Sequence, residues 1–256
     1  MTATHAEWIK LRTVPGTGWL LAAIVTATAA LSAVADAAAR CPAGGCQLDP
    51  VRTSLTGIYL GQAIVVVLAV TAVSGEYGTG LIHVTFTAMP SRVIVLAAKA
   101  AVVAGLVLAA GAVAVLGSVL AGRLILPGHG FTAQHGYLLS LGDGPVLRAS
   151  IGSVLYLGLI ALLSLGLAAA VRDTAAAIGI VLGLLYAAPI IAAVLGGSAA
   201  SRHLQQLAPM TAGLAIQATT GLRSLPVSPW TGLGILAAWA AAAVMAGGLL
   251  LHHRDA

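Results

Sequence analysis

Between Gly75 and Arg92 the chain reads GEYGTGLIHVTFTAMPSR, and it gathers there side chains suited to polar contact: Glu76, Tyr77, His83 and three threonines. From Thr79 onward, helical spacing puts Leu81, Ile82, Phe86 and Met89 on one face and Thr79, His83 and Thr87 on the other. A short helix of that pattern lies in the membrane interface with its polar stripe toward water. The chemistry on offer is recognition of an aqueous partner rather than bond making. The lysines are Lys10 and Lys99, and neither follows a glycine, so the chain has no phosphate-binding loop and cannot hydrolyse ATP alone. His252 and His253 are adjacent rather than one helical turn apart, so no metal site is expected from them. None of the seven histidines falls in an apolar run, which leaves an intramembrane serine protease without its base. Asp36, near the end of the first apolar run, is the sole candidate for the intramembrane carboxylate of proton-coupled transport.

Cys41 and Cys46 flank Pro42 and the Gly44, Gly45 pair, a spacing that turns tightly enough to bring two thiols together. In an oxidising compartment they pair, at a gain of about 2 kcal/mol from so small a loop. Two free thiols are the alternative, and a zinc site lacks the remaining ligands.

The elements that must position these residues follow from composition. Hydrophobic residues make up 59% of the 256-residue chain and charged residues 7%, with a mean hydropathy of +1.02. Soluble domains carry roughly 25% charge. The chain reads as an all-α polytopic membrane protein, a single domain over residues 1–256. Apolar runs long enough to cross about 30 Å of hydrocarbon fall at residues 17–38, 55–73, 93–120, 146–171, 174–195 and 231–251. The first is too long for the core of a cleaved signal and is taken as a span.

Six spans put both termini on one side. With the N-terminus inside, Lys10, Arg12, Arg92, Lys99, Arg172 and Arg254 face inward, while Arg40, Arg52, Arg123, Arg148, Arg202 and Arg223 face outward. The counts balance, and the shorter, more densely basic inner segments favour cytoplasmic termini. A paired Cys41 and Cys46 in the first outer loop agrees. The net charge of +5 suits anionic lipid head groups, and no basic cluster interleaved with aromatics points to nucleic acid.

Thr4 and Glu7 have the spacing of a capping box ahead of Trp8, Ile9 and Leu11, predicting an interfacial helix over residues 4–13 with Lys10 and Arg12 reaching toward head groups. Arg172 and Asp173 alone separate the fourth and fifth runs, which must form an antiparallel hairpin, each charge suiting the helix end beside it. Residues 204–217 are too short and polar to span, and predict a re-entrant or interfacial helix. Pro189 predicts a kink in the fifth span. Gln62, Tyr186 and Gln217 suit interhelical hydrogen bonds, and Gln62, Tyr59 and Tyr186 are the candidates for a substrate path.

Four places together resemble the permease subunits of ABC exporters of the "ABC type 2" family, in its actinobacterial drug- and antibiotic-export branch. Residues Glu7 to Arg12 are similar to that family's N-terminal interfacial helix. Gly75, Glu76, Tyr77, Gly80, Pro90, Ser91, Arg92 and Lys99 resemble its loop between spans two and three. Residues 165–183 around Arg172 resemble its fourth-to-fifth hairpin, and Ser228, Pro229, Trp230 with Arg254, Asp255 and Ala256 its closing segment.

The resemblance implies a permease in the bacterial plasma membrane that moves a hydrophobic or amphipathic substrate outward. It implies two copies of the chain, or the chain with a homologue, and separate cassette ATPase subunits that bind ATP and Mg²⁺. The helix after Gly75 is then the coupling helix, and the implied ATPase contacts are Glu7, Lys10, Gly75, Glu76, Tyr77, Gly80, His83, Thr87 and Arg92. An ion-gradient transporter and a membrane-embedded enzyme are the rival readings, both short of intramembrane charged groups.

Overall fold

The computed structural model describes residues 3–41, 48–78, 92–131, 142–196 and 198–253. Every regular element among them is helical: α1 (Ala3–Thr13), α2 (Pro15–Ala38), α3 (Pro50–Ser54), α4 (Ile58–Gly78), α5 (Arg92–Ile125), α6 (Gly144–Val171), α7 (Thr174–Val194), α8 (Ala199–Leu207), α9 (Pro209–Leu214) and α10 (Pro229–His253), with short 3₁₀ turns between. The helices α2, α4, α5, α6, α7 and α10 are long and apolar enough to cross a membrane, making this an all-α, six-span, multi-pass membrane protein.

Local chemistry explains the ends. Helices α2, α3, α9 and α10 each begin on proline, whose fixed φ and missing N–H suit the first helical position. The second span starts three residues later than hydropathy alone indicates, because residues 50–54 form their own short helix. The Asp49 carboxylate caps it, accepting from the Val51 and Arg52 amides at 3.1 and 3.2 Å. At the α6–α7 turn, Arg172 adopts a left-handed φ of 63° while its amide donates to the Ala168 carbonyl at 2.9 Å. Asp173 then caps α7 through the Ala176 amide at 2.7 Å. The expected hairpin is there, and α7 continues through Pro189 to Val194.

Helix α6 is the hub, packed against α4, α5, α7 and α10. About 61% of its spanning window is buried, against 17% for α2, the least buried of the six spans. Apolar lipid removes the hydrophobic drive between spans, so small residues and van der Waals contact must hold them. At the α6–α10 crossing a methyl group on Gly166 would strike the backbone of Ala243 and Val244, and one on Gly247 would lie 2.6 Å from the Gly166 carbonyl oxygen. Only glycine lets the two backbones approach so closely.

The contacts also sort the ends of the bundle. Glu7 of α1, Ala72 and Ser74 of α4, Lys99 of α5 and Thr174 of α7 meet at one end. At the other end, Ser54 donates to Asp36 at 3.0 Å, Thr219 to Asp49 at 2.7 Å, and Arg148 to the Ala218 carbonyl. Of the segment 204–217, expected to be re-entrant or interfacial, the part from residue 209 onward packs inside the bundle: Met210, Ala212, Leu214, Ile216 and Gln217 are all buried. It seats against α6 and α10, whereas α8 before it lies on the surface.

Candidate functional site

Glu7 lies one and a half turns into α1 and is 1% exposed, although Trp8 and Ile9 beside it are about half exposed. Its carboxylate points under the helix. Lys99 of α5, 5% exposed, donates from Nζ to Glu7 Oε2 at 2.8 Å, and Lys10 reaches Oε1 at 3.2 Å. Lys99 Nζ also donates to the Ala72 carbonyl of α4 at 3.0 Å. A buried ion pair holds only when its remaining donors and acceptors find partners, and the carbonyl and second lysine supply them here. One carboxylate thereby joins α1 to the start of the third span, and one ammonium joins both to the end of the second. Nearby, Thr174 at the start of α7 donates to Ser74 of α4 at 2.8 Å, drawing the α6–α7 turn to the same place.

This arrangement differs from the capping box expected at Thr4 and Glu7. Thr4 lies inside α1, and the Glu7 carboxylate engages the two lysines. Nor does Glu7 present itself to solvent as a surface contact does; it fixes the position of α1 from beneath. Lys10, whose side chain is 44% exposed, bridges that buried acid and the surface. Gly75 stands exposed near the end of α4. Glu76 and Tyr77 continue α4, but their side chains, like that of Arg92 at the start of α5, lie outside the described residues. Gly80, His83 and Thr87 lie wholly outside them. Cys41 is disulfide-bonded, and Cys46 lies outside the described residues.

A cavity of about 580 Å³ opens beside the ion pair, bounded by α1, the start of α2, α4 and Lys99 of α5. Its walls are largely apolar, with Leu11, Val14, Leu20 and Leu68 facing Glu7, Lys10 and Lys99. A second cavity of about 440 Å³, wholly apolar in lining, lies among α5, α6 and α10 around Leu108, Leu159, Trp230 and Leu233.

The candidate path residues come together elsewhere, in the middle of the bundle. Gln62 is completely buried; it accepts from the Tyr156 hydroxyl and donates to Met210 Sδ at 3.3 Å, linking α4, α6 and α9. Tyr186 donates to the Tyr59 carbonyl, linking α7 to α4. None of the three lines either cavity, and their polar atoms serve helix–helix contacts. Gln217 likewise donates to Ser153 at 3.3 Å. Asp36 is fully buried, with Oδ1 bonded to Ser54 and Oδ2 without a hydrogen-bond partner. Among the described residues no group of three His, Cys, Asp or Glu side chains could hold a metal ion.

Lys99 is the residue that sequence reasoning passed over as a partner of Glu7. It stands 92 positions away, yet the two share one signal: a charge placed where burial would otherwise forbid it. Comparison with protein-family models and with curated proteins finds no match to the chain.

Proposed function

We propose that the chain is the membrane-spanning permease subunit of an ATP-driven ABC exporter, working as a pair of permease subunits with two separate cassette ATPases. The observation that supports this reading best is the junction of Glu7, Lys99 and Ala72. Residues 79–91 connect α4 to α5, and Lys99 of α5 holds both the Glu7 carboxylate of α1 and the Ala72 carbonyl of α4, so the three helices meet at one ammonium. A push on the connecting segment is therefore delivered to three elements at once. Buried, hydrogen-bonded charges resist sliding better than apolar contacts, because any slip leaves a desolvated ion unpaired. Such a rigid joint suits a coupling helix that converts movement of an ATPase into tilting of the spans. ATP binding can shift that equilibrium only through its different affinity for the two arrangements of the ATPase pair.

In this reading the chain itself is no enzyme and binds no cofactor; ATP and Mg²⁺ belong to the ATPase subunits. The joint lies on the cytoplasmic side with both termini, in the bacterial plasma membrane, and the substrate is a hydrophobic or amphipathic molecule moved outward. The test is reconstitution of the chain with a cassette ATPase that co-purifies with it. Vanadate-sensitive export and ATP hydrolysis stimulated by the permease support the reading. Export driven by a proton gradient and indifferent to vanadate refutes it.

That outcome would favour the second reading, ion-coupled transport, for which the unpaired Oδ2 of buried Asp36 is the specific observation. Asp36→Asn would then abolish transport, whereas in an ATP-driven exporter it would leave ATP-dependent export in place.

A further inference from the structure

The buried stripe of α2 is polar for a helix that spans a membrane: Thr28, Ser32 and Asp36 follow at one-turn spacing, each 0% exposed. Asp36 is the sole ionisable side chain of α2. Ser32 is already engaged, its Oγ accepting from the Gly57 amide at 3.0 Å. The Asp36 carboxyl meets Ser54 of α3, Oδ1 to Oγ at 3.0 Å. Its other oxygen, Oδ2, lies against Gly122 of α5, where an added methyl would stand 3.2 Å away, and it has no hydrogen-bond partner.

Counting protons decides the state of this carboxyl. Ser54 Oγ stands 3.0 Å from two acceptors, Asp36 Oδ1 and the Pro50 carbonyl oxygen. A hydroxyl has one proton to give and two lone pairs to accept with. With Asp36 ionised, that one proton is divided between the two acceptors, and a fully buried carboxylate holds a share of a single hydrogen bond. With Asp36 neutral, its O–H donates to Ser54 Oγ and the Ser54 hydroxyl donates to Pro50, so both contacts are complete and a neutral carbonyl oxygen alone goes without. Burying an uncompensated carboxylate costs far more than leaving one carbonyl oxygen unpaired.

No cation offsets the charge from the elements around it. Arg40 donates to the Ala37 and Ala39 carbonyls and meets His129 Nδ1, and Arg148 of α6 donates to the Ala218 carbonyl. Arg52 of α3 and Arg123 of α5 are exposed, and the nearby Asp49 takes its donors from α3, Thr219 and Thr220. Among the described residues no lysine, arginine or histidine is in ion-pair contact with Asp36.

We propose that Asp36 is a buried proton-binding site, a neutral acid whose O–H, donated to Ser54, ties the end of α2 to α3. The proton-bound form and the clasped form are then one state. Parting α2 from α3 admits water, to which the proton passes and by which the carboxylate left behind is hydrated. The site is the same whether ATP or an ion gradient drives transport.

Infrared spectroscopy of the full-length chain in an ester-free detergent at neutral pH tests this, because a protonated carboxyl has a carbonyl stretch that a carboxylate lacks. Aspartate isotopically labelled at its carboxyl carbon separates that band from any of glutamate. The expected result is a label-sensitive band of protonated aspartate that is lost in Asp36→Asn. In Ser54→Ala, which removes the acceptor of the O–H, the band should persist at a shifted frequency. Asp36→Asn keeps the size of the acid and can donate its amide N–H to Ser54, so it should fold; the isotope label and Ser54→Ala decide the matter even where it does not. Absence of a label-sensitive band from the wild-type chain overturns the proposal, as does a band that survives Asp36→Asn. A band that Ser54→Ala leaves unmoved overturns the clasp, because the proton is then not shared with Ser54.

Discussion

Removing the two halves of the Glu7–Lys99 pair should have unequal effects. Glu7→Leu takes the carboxylate away from the Lys99 ammonium, which stays 5% exposed with the Ala72 carbonyl oxygen at 3.0 Å. Truncating one partner of a buried pair costs about 3–5 kcal/mol, and this variant should sit in that range. Lys99→Met leaves the carboxylate with Lys10 at 3.2 Å, a lysine that reaches water, so about 2 kcal/mol is expected. The double variant Glu7→Leu, Lys99→Met buries no charge and fills similar volume. Replacing a buried ion pair by apolar groups is often neutral, so the double variant should be more stable than Glu7→Leu alone. The loss is local, because α1 can lift away while the six spans stay packed. Hydrogen exchange over residues 3–13, followed by mass spectrometry, measures it directly: α1 amides should exchange fastest in Glu7→Leu, more slowly in Lys99→Met, and close to wild type in the double variant. Equal protection in all four proteins, or a double variant no better than the sum of the singles, would refute the claim that the pair holds α1 down.

Asp49 accepts two amides of α3 and three donors from Thr219 and Thr220, so Asp49→Ala should destabilise by about 2–4 kcal/mol, seen as a lower thermal midpoint, with Asp49→Asn intermediate. Gly166→Val should drive α6 and α10 apart and cost about 2–3 kcal/mol, whereas Gly179→Val, where an added methyl meets nothing within 4 Å, should melt within about 1 kcal/mol of wild type. Gln62→Leu strands the buried Tyr156 hydroxyl and should cost about 1–3 kcal/mol; adding Tyr156→Phe should recover part of it in the same melting assay. A single thiol at Thr13 should react from the same side of the membrane as one at Arg172 and from the opposite side to one at Thr220, as an impermeant reagent would report; any other pattern breaks the six-span topology.

How far the primary structure reaches is clear from particular residues. Six spans were legible because a helix rises a constant 1.5 Å per residue and every lipid-facing turn must be apolar, conditions that each segment meets without reference to its neighbours. The α6–α7 hairpin was legible for a similar reason: Arg172 and Asp173 complement the helix ends they touch, and two residues leave no room for any other connection. Residues 204–217 showed their unsuitability to span, but not where they would go. The burial of residues 209–217 against α6 and α10 depends on small residues and shapes contributed from far along the chain.

The same limit explains Glu7 and Gln62. Locally, Glu7 fits a helix cap and Gln62 an interhelical hydrogen bond whose partner is not named, because spacing reports only what lies within a turn or two. The tertiary structure brings Lys99 to 2.8 Å from one and the Tyr156 hydroxyl to the other. In a low-dielectric interior a polar group takes whichever partner satisfies it most completely, and that partner is set by helix packing, not by sequence distance. Length, hydropathy and turn chemistry were therefore determined by the sequence alone. Which charge meets which, and hence how α1 is joined to the second and third spans, was decided only when the spans packed.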